Sequence, residues 1–390
     1  MKFSILTPTH LKNHYLTELH ESLKAQIHTN WEWVIVINNN NEGRSVPEDI
    51  ENDQRVVIIT DDNSSDDSIG RLKKMAAKKS TGDILVEVDH DDMLTEDALS
   101  EMERVFENEG TDFVYSNSIY LSDEFIPYNP AFGWTHYQVD YRGKKRFVMN
   151  SFPPSSRSFS FIWYCPNHVR AWKREFYFSI GGHDKSYEVC DDHEILIRTY
   201  LYGNISFISK PLYVYRITGE NTWLQKNRKV QETTVKLFHQ YAHKLAMREA
   251  SLKGQHIINL KDHDLDQPLP FDTSSVGVLF ADQILKDYDQ PYEKMREIYR
   301  VLADCGWAFI CVPSTDGRGA FQDPFTKSWW NENSFLYYTN QTYAGFINNN
   351  EIRFQSFRLD TEIWAKNIAM THAWLTAIKS NTRRPHTVEI

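Results

Sequence analysis

The chain has 390 residues, of which 41% are hydrophobic and 25% are charged, and its formal net charge at pH 7 is −10. This length exceeds what one ordinary hydrophobic core serves and predicts two or three domains. The negative charge makes general binding to nucleic acid unexpected, and no apolar run is long enough for a transmembrane helix.

Four cysteines are scattered along the chain without the spacing of a metal site, which indicates reduced thiols. A strand-like segment begins at Phe3, so we expect no signal peptide. Both features predict a cytoplasmic protein, which would meet a lipid-linked substrate only at the membrane surface.

Apolar runs of strand length alternate with helical patterns over the first hundred residues. The strand-like runs are Phe3–Thr9, Trp33–Ile37, Val56–Ile59 and Ile84–Val88, and the helical patterns are Tyr15–Ile27 and Ser68–Lys79. Strands and helices that alternate with short crossovers favour a mostly parallel sheet with helices on its faces. The predicted fold class is therefore α/β.

Polar residues follow each of these strands. They are Thr7 and Thr9 at the end of the first strand, Asn38 after the second, Asp62 after the third and Asp89 to Asp92 after the fourth. Because ligands bind at the carboxyl ends of parallel strands, these residues outline a nucleotide-sized crevice. No Gly-x-Gly-x-x-Gly or Walker-type loop is present to hold phosphates, so we expect a metal ion on the acidic residues to hold them.

The stretch Gly82–Asp92 changes from an apolar strand into three carboxylates within four positions. Side chains alternate along a strand, so Asp89 and Asp91 point the same way if the extended geometry continues. Two carboxylates this close repel each other unless a cation lies between them, and a divalent ion is the usual solution. The alternative is a solvated acidic loop.

The middle of the chain, residues 115–186, is less regular and rich in aromatic residues. Its basic run, Arg142–Arg146, is either a solvated loop or a contact for a phosphate-bearing acceptor. A second acidic group, Asp191–Glu194, opens an apolar helix, where the carboxylates either cap the helix or supply a general base. Arg216 either pairs with the acids or helps to hold a diphosphate.

Taken together, these motifs resemble a GT-A fold glycosyltransferase of the family 2 type over residues 1 to about 225. The segments that carry the resemblance are Thr7-Pro8-Thr9, Ser80–Asp83, Asp89–Asp92, Gly181–Asp184, Asp191–Glu194 and Tyr213–Arg216. The resemblance implies a Rossmann-like GT-A sheet, a nucleotide-sugar donor and inversion at the anomeric carbon. It also implies a divalent cation, Mn²⁺ or Mg²⁺, on the Asp-x-Asp sequence.

Site residues of the family carry over onto the matching positions. Asp91 is the expected metal ligand, with Asp89 and Asp92 beside it, and Asp192, with Asp191 beside it, matches the catalytic base. The residues expected to bind the nucleotide-sugar are Thr7, Thr9, Asn38, Asp62, Asp89 and Arg216.

The chain departs from the family pattern after the second strand. Asn38–Asn41 stand where members usually have an aspartate followed by an acidic, serine-containing turn, and a run of that kind, Asp61–Asp66, comes one strand later. Asparagine can still hydrogen-bond a base or a ribose. The identity of the nucleotide is therefore left open.

Residues 226–254 form a long helical pattern, which predicts a connector. Residues 255–390 resemble the C-terminal half of a class I methyltransferase that uses S-adenosylmethionine, through Leu269–Phe271, Arg296–Leu302 and Asp323–Phe335. The glycine-rich turn and the ribose-binding acid that should precede this half are missing, so we expect no S-adenosylmethionine binding. An incomplete sheet leaves an edge and an apolar face to cover, which favours packing, acceptor binding or homo-oligomer formation.

The leading hypothesis is a metal-dependent inverting glycosyltransferase that acts on a hydroxyl of a glycan or glycoconjugate. The alternatives are an inactive module that binds nucleotide-sugars or glycans, a methyltransferase with an accessory first half, and a glycosyltransferase that acts on modified DNA. Metal-dependent hydrolysis of a nucleotide-sugar separates the enzyme from the binding module. The net negative charge argues against DNA as the acceptor.

Overall fold

The computed structural model describes residues 1–11, 15–38, 45–61, 68–108, 110–122, 133–218, 221 and 225–380. Two compact units divide the chain, Met1–Tyr241 and Ala242–Glu389. The division falls within a long helix, Asn227–Leu252. The domain limits at 225 and 255 stay predictions.

A single mixed sheet forms the centre of the first unit, with the strand order β3-β2-β1-β4-β9-β6-β10-β5 and a β7–β8 hairpin attached through β8 to β6. The strands are β1 (Phe3–Thr9), β2 (Trp31–Ile37), β3 (Val56–Thr60), β4 (Ile84–Glu87), β5 (Met93–Leu94), β6 (Phe113–Leu121), β7 (His136–Tyr141), β8 (Lys144–Met149), β9 (Arg170–Lys173) and β10 (Ile205–Arg216).

The sheet is parallel only in part. Strands β1 to β4 pair in parallel with one another, and so do β6 and β10. Strand β9 runs antiparallel to both β4 and β6, and β5 and β8 are antiparallel to their partners. The expectation of a mostly parallel sheet is therefore corrected to a mixed sheet, because the antiparallel strands come from segments too short or too polar to read as strands.

The helices of the first unit are α1 (Tyr15–Lys24), α2 (Glu48–Glu51), α3 (Ile69–Lys79), α4 (Ala98–Phe106), α5 (Ser158–Phe161), α6 (Arg174–Ser179) and α7 (Asp191–Tyr202). The next helix, α8 (Asn227–Leu252), contains the division between the two units. Strands β1 and β2 are buried along their whole length, as expected of parallel strands covered on both faces. Leucines of α1 and α4 pack in the same core, and each fully buried leucine contributes about 1.5–3 kcal/mol.

The second unit has its own sheet and its own apolar core. The strands are β11 (His256–Asn259), β12 (Val276–Asp282), β13 (Leu302–Pro313), β14 (Phe354–Ala365) and β15 (Ile368–Ala377), and the helices are α9 (Pro291–Val301), α10 (Gly319–Gln322), α11 (Glu332–Thr339) and α12 (Gln341–Phe346). The strand order is β11-β12-β13-β15-β14. The first three strands are parallel, whereas β15 is antiparallel to both β13 and β14.

Within the described ranges, no helix combines the length and the apolar character that crossing a bilayer requires.

Candidate active site

A cavity of about 1050 Å³ opens in the first unit. Its walls include residues at or just after the carboxyl ends of β1, β2, β4, β6 and β10, which is where an α/β sheet places its ligands. Asp89, Asp91 and Asp92 lie on one part of the wall, and Asp191 and Asp192 lie on another. The two acidic groups predicted from the sequence therefore face the same space.

The acidic loop follows β4 directly and is tied to β10. The Tyr213 hydroxyl donates to Asp92 Oδ2 at 2.8 Å, and the backbone N–H of Arg216 donates to Asp92 Oδ1 at 2.7 Å. Asp92 is buried, whereas Asp89 and Asp91 are partly exposed. Asp92 thus fixes the loop, and Asp89 and Asp91 present carboxylates to the cavity.

Negative charge is concentrated on this loop. Burial raises the pKa of Asp89 to about 7, a shift that Lys73 opposes and that Glu87 and Asp91 increase. Burial also raises the pKa of Asp91. A cation bound between the two carboxylates would relieve this electrostatic cost.

The side chain of Arg216 braces the acidic loop. Its Nε donates to the carbonyl oxygen of Asp91 at 2.9 Å, and its Nη2 donates to Glu18 at 2.8 Å. The guanidinium also lies over the ring of Tyr15, 4.3 Å from the centroid. Of the two roles considered for Arg216, these contacts support a structural one, and a contact with diphosphate stays a prediction.

The residues predicted to contact the nucleoside lie in different environments. Thr9 and Asn38 line the cavity. Thr7 is fully buried, where its hydroxyl donates to the carbonyl oxygen of Val88 and accepts a hydrogen bond from Trp33 Nε1. Asp62 lies outside the described residues. The basic run predicted as a possible phosphate contact comprises the turn between β7 and β8 and the first residues of β8, and it is largely exposed.

The second acidic group begins helix α7. Asp192 Oδ1 accepts a hydrogen bond from the N–H of His193 at 2.8 Å, and Asp192 Oδ2 accepts one from Arg170 Nη1 at 2.8 Å. The side chain of Asp192 is 26% exposed, whereas that of Asp191 is 8% exposed. Asp192 is therefore the more accessible of the two carboxylates.

The pKa values of the two aspartates shift in opposite directions. Burial opposes ionisation of Asp192, but Arg170 and Lys73 outweigh it and lower its pKa. Burial raises the pKa of Asp191, although Lys73 lies 3.6 Å from Asp191 Oδ2. The more accessible carboxylate is thus the one whose pKa is lowered, which favours the ionised form that a general base requires.

A buried network of charged side chains joins the two acidic groups. Lys73 Nζ lies 2.8 Å from Glu87 Oε1, Arg170 Nη1 lies 3.5 Å from the same oxygen, and His183 Nε2 lies 3.4 Å from Glu87 Oε2. Lys73 and Arg170 each reach from Glu87 to an aspartate of α7. Glu87, the last residue of β4 and two residues before Asp89, is therefore linked to the start of α7.

Sequence reasoning did not assign Lys73, Glu87 or Arg170 to the site. A signal existed for two of them, because Lys73 occupies the apolar face of α3 and Glu87 interrupts the apolar run of β4. A charged residue where the pattern requires an apolar one indicates a buried partner.

Helices α3 and α7 approach closely at one point of this network. A Cβ atom placed on Gly70 would lie 2.9 Å from Asp191 Cβ and 3.0 Å from the carbonyl oxygen of Asp184. Only a residue without a side chain leaves the backbone of α3 at this distance from the start of α7.

The chemistry of the donors allows a divalent cation at Asp89 and Asp91. Both supply the carboxylate oxygens that Mg²⁺ and Ca²⁺ prefer and that Mn²⁺ accepts. Asp92 is only 1% exposed and its carboxylate is bonded to Tyr213 and Arg216, so Asp92 is less suited to bind an ion than the sequence suggested. Among the described residues no group of three or more His, Cys, Asp or Glu side chains is arranged to hold a metal.

Comparison with known proteins agrees with the resemblance in the first unit. Residues 4–164 match the family model "Glycosyl transferase family 2". The matched segment lies within the first unit. No curated protein matches the chain at a significant level.

Several solved structures resemble the chain at low sequence identity. TarS 1-349 of S. aureus is 18% identical, with 64% of this chain and 72% of that chain covered and a TM-score of 0.44. The complex of the same protein with UDP-GlcNAc is 18% identical, with 64% and 73% covered and a TM-score of 0.45. The mannosyltransferase PcManGT from Pyrobaculum calidifontis, in complex with GDP-Man and Mn²⁺, is 12% identical, with 66% and 76% covered and a TM-score of 0.41. TM-scores below 0.5 do not by themselves establish a shared fold.

Proposed function

We propose that this chain is an inverting glycosyltransferase that moves a sugar from a nucleotide-sugar to a hydroxyl of a glycan or glycoconjugate. The observation that carries the proposal is the meeting of two acidic groups, Asp89 with Asp91 and Asp191 with Asp192, on one cavity of about 1050 Å³. The match to the family 2 model in the same unit supports the nucleotide-sugar as donor.

The donor side of the proposed site is the acidic loop. Asp89 and Asp91 would hold a divalent cation, Mn²⁺ or Mg²⁺, which when bound neutralises charge on the leaving nucleoside diphosphate. Thr9 and Asn38 lie on the same cavity and would contact the nucleoside. Hydrogen bonds from Arg216 to the Asp92 side chain and to the Asp91 carbonyl oxygen hold the acidic loop in place.

The acceptor side is the start of α7. Asp192 would accept the proton of the acceptor hydroxyl as that oxygen attacks the anomeric carbon. A single base acting on a hydroxyl that attacks opposite the leaving group produces inversion, by analogy with the two-carboxylate geometry of inverting glycosidases. Asp191 is more buried and would support Asp192 rather than replace it.

Aromatic side chains on the cavity support a carbohydrate acceptor. Tyr120, Trp163, Tyr164 and Tyr215 line it. The ring centroids of Tyr120 and Tyr215 are 5.2 Å apart with the ring planes tilted by 52°. Those of Trp163 and Tyr164 are 5.3 Å apart in a T-shaped arrangement. Flat rings with apolar faces pack well against the C–H faces of sugars while their polar edges bind water or hydroxyls.

The test is release of nucleoside diphosphate from a panel of nucleotide-sugars with and without Mn²⁺. We expect cation-dependent release by the wild-type chain, and its loss in Asp91→Ala because one of the two cavity carboxylates is removed. Asp83→Ala is a matched control, since Asp83 is an exposed aspartate at the other end of β4. Release by Asp91→Ala at the wild-type rate would refute the cation site, and cation-dependent donor binding without release would favour the inactive binding module.

For the second unit we propose a truncated, non-catalytic relative of class I methyltransferases. Support comes from the three parallel strands β11 to β13 followed by the antiparallel pair β14 and β15, and from the sequence segments noted above. Titration calorimetry with S-adenosylmethionine tests this, and we expect no heat of binding. Saturable binding would make the second unit a candidate enzyme.

A further inference from the structure

Arg170 is held rigidly inside the first unit. It is the first residue of β9, and its side chain is 1% exposed. Its Nε donates to the carbonyl oxygen of Pro166 at 3.0 Å, and its Nη2 donates to that of Tyr164 at 3.1 Å. Its Nη1 is left to contact the carboxylates of Asp192 and Glu87. Because a guanidinium is planar, these carbonyl contacts fix the direction in which Nη1 points.

Each oxygen of the Asp192 carboxylate accepts one hydrogen bond and can still accept another. The N–H of His193 occupies one acceptor position of Oδ1, and Arg170 occupies one of Oδ2. A carboxylate oxygen has two acceptor positions, so each oxygen keeps one for a further donor. The Asp192 side chain is 26% exposed and lines the cavity, so the further donor can be the hydroxyl of a sugar acceptor.

We propose that Arg170 is the positioning residue of the candidate base Asp192: it orients the carboxylate so that the oxygen facing the cavity can take the acceptor proton. This inference rests on the proposed function and deepens it. Glu87 and Lys73 act one step further away, since Glu87 contacts both Lys73 and Arg170.

Among the described groups around Asp192, Arg170 is the positively charged one that is hydrogen-bonded to its carboxylate. The described groups that interact electrostatically with Asp192 are Lys73 of α3, Glu87 of β4, His168 just before β9, Arg170 at the start of β9, Cys190 just before α7, and Asp191 and His193 in the first turn of α7. Burial lowers the pKa of His168 to about 3 and that of His193 to about 4, so both are neutral at neutral pH. Burial raises the pKa of the Cys190 thiol to about 12. The balancing positive charge therefore comes from Arg170 and Lys73, and Arg170 is the one hydrogen-bonded to Asp192.

The experiment compares Arg170→Gln with Arg198→Gln in the full chain. Arg198 is a matched control because it also pairs with a carboxylate of α7, Glu194, and also donates to two backbone carbonyls, those of Ile180 and Gly182. The measurements are kcat and KM for cation-dependent release of nucleoside diphosphate over a range of pH, with thermal unfolding recorded for each variant.

We expect Arg170→Gln to lower kcat by about 10²-fold, as a misplaced catalytic group does, with donor KM nearly unchanged. The acid limb of the kcat profile should move to higher pH, because Asp192 loses its neighbouring cation and its pKa rises. Arg170→Lys should restore the acid limb but only part of kcat, since lysine keeps the charge and lacks the fork. Arg198→Gln should lose stability but leave the acid limb in place.

Two results would overturn the proposal. One is a kcat and acid limb for Arg170→Gln that equal those of Arg198→Gln. The other is a carbon-13 titration of the Asp192 carboxyl, assigned with Asp192→Asn, in which Arg170→Gln leaves the pKa unchanged. Should Arg170→Gln not fold, Arg170→Lys against Arg198→Lys decides: equal kcat rejects the positioning role, and a selective loss supports it.

The carboxyl titration also separates this inference from the proposed function. If the wild-type chain releases no nucleoside diphosphate from any donor, the glycosyltransferase proposal fails. A shifted Asp192 titration in Arg170→Gln would still establish the pairing, whereas an active wild type with an unshifted titration would reject Arg170 alone.

Discussion

Lys73 shows how much of the first unit depends on single buried charges. Burial would lower the pKa of this ammonium, but Asp191 and Glu87 raise it well above its usual value. A lysine that stays charged inside a protein is held by its partners, and those partners are costly to leave alone. The residue is therefore structural as well as electrostatic.

We predict that Lys73→Met destabilises the first unit by about 3–5 kcal/mol, because Glu87 and Asp191 stay buried with less compensating charge. Urea unfolding measures this. Lys78→Met, on the exposed face of the same helix, is the control and should change the free energy of unfolding by no more than about 0.5 kcal/mol. Equal stability of the two variants would show that the network does not hold Lys73.

Single residues also mark where sequence reasoning reached its limit. Asp89, Asp91 and Asp192 were assigned from local motifs, and the structure places all three on one cavity. Arg170 was not assigned, because nothing in its neighbourhood along the chain announces a partner 22 residues away. A local motif is enough to predict a functional side chain, whereas an ion pair between distant residues can be recognised only once the fold is known.

We predict that Asp192→Asn lowers transfer by about 10²–10⁴-fold, the usual contribution of a general base. Donor affinity, measured by thermal shift with Mn²⁺, should be retained because the acidic loop is untouched. Asp191→Asn is the comparison and should affect stability more than transfer, since its side chain is 8% exposed. A larger loss of transfer in Asp191→Asn would assign the base to that residue.

At the scale of elements, the amino-terminal ends of β1, β2 and β4 are joined by one carboxylate. Glu32 accepts hydrogen bonds from Lys2 at 2.7 Å, from the Ser4 hydroxyl at 2.6 Å and from Thr81. Burial opposes its ionisation, but these bonds lower the pKa of Glu32 from 4.5 to about 2. The edge of the sheet opposite the cavity thus depends on an ionised glutamate.

We predict that Glu32→Gln removes about 2–3 kcal/mol of stability at pH 7. The folded-state pKa lies below the unfolded one, so this stabilisation is complete above pH 4.5 and is lost as the pH falls toward 2. The measurement is the pH dependence of the unfolding midpoint, which should be flatter in the variant over that window. Glu51→Gln, exposed at the end of α2, should keep the wild-type slope, and identical slopes for all three proteins would refute the role of Glu32.

The elements differed in how well the sequence predicted them. The apolar runs of β1 and β2 and the spacing of α1 and α3 indicated their structure because they are long and periodic. Strand β9 has only four residues, and both of its end residues are charged. The sequence pattern therefore suggests a loop. Its pairing with β4 and β6 supplies the conformation that local pattern could not predict.

At the scale of the whole molecule, each unit has a hydrophobic core of its own. Among the residues that the structure describes, those that line the cavity all belong to the first unit. We therefore expect that a loss of stability in the second unit leaves the chemistry at the cavity of the first unit unchanged.

We predict that Ile310→Ala, in the core of the second unit, destabilises that unit by about 2–5 kcal/mol while donor KM stays unchanged well below the unfolding temperature. Ile35→Ala, in the core of the first unit, is the matched variant and should lower both stability and turnover. Calorimetry and diphosphate release provide the two readouts. Loss of donor affinity in Ile310→Ala would show that the second unit takes part in the reaction.

The glycine at position 70 determines how closely α3 and α7 approach each other. A methyl group there would act as a wedge against the main chain at Asp184 and the first methylene of Asp191. The gap between the helix that carries Lys73 and the helix that carries the candidate base is therefore set by an absent side chain. Substitutions at Gly70 should be poorly tolerated, as at Lys73, whereas the exposed Lys78 and Lys79 of the same helix should accept most replacements.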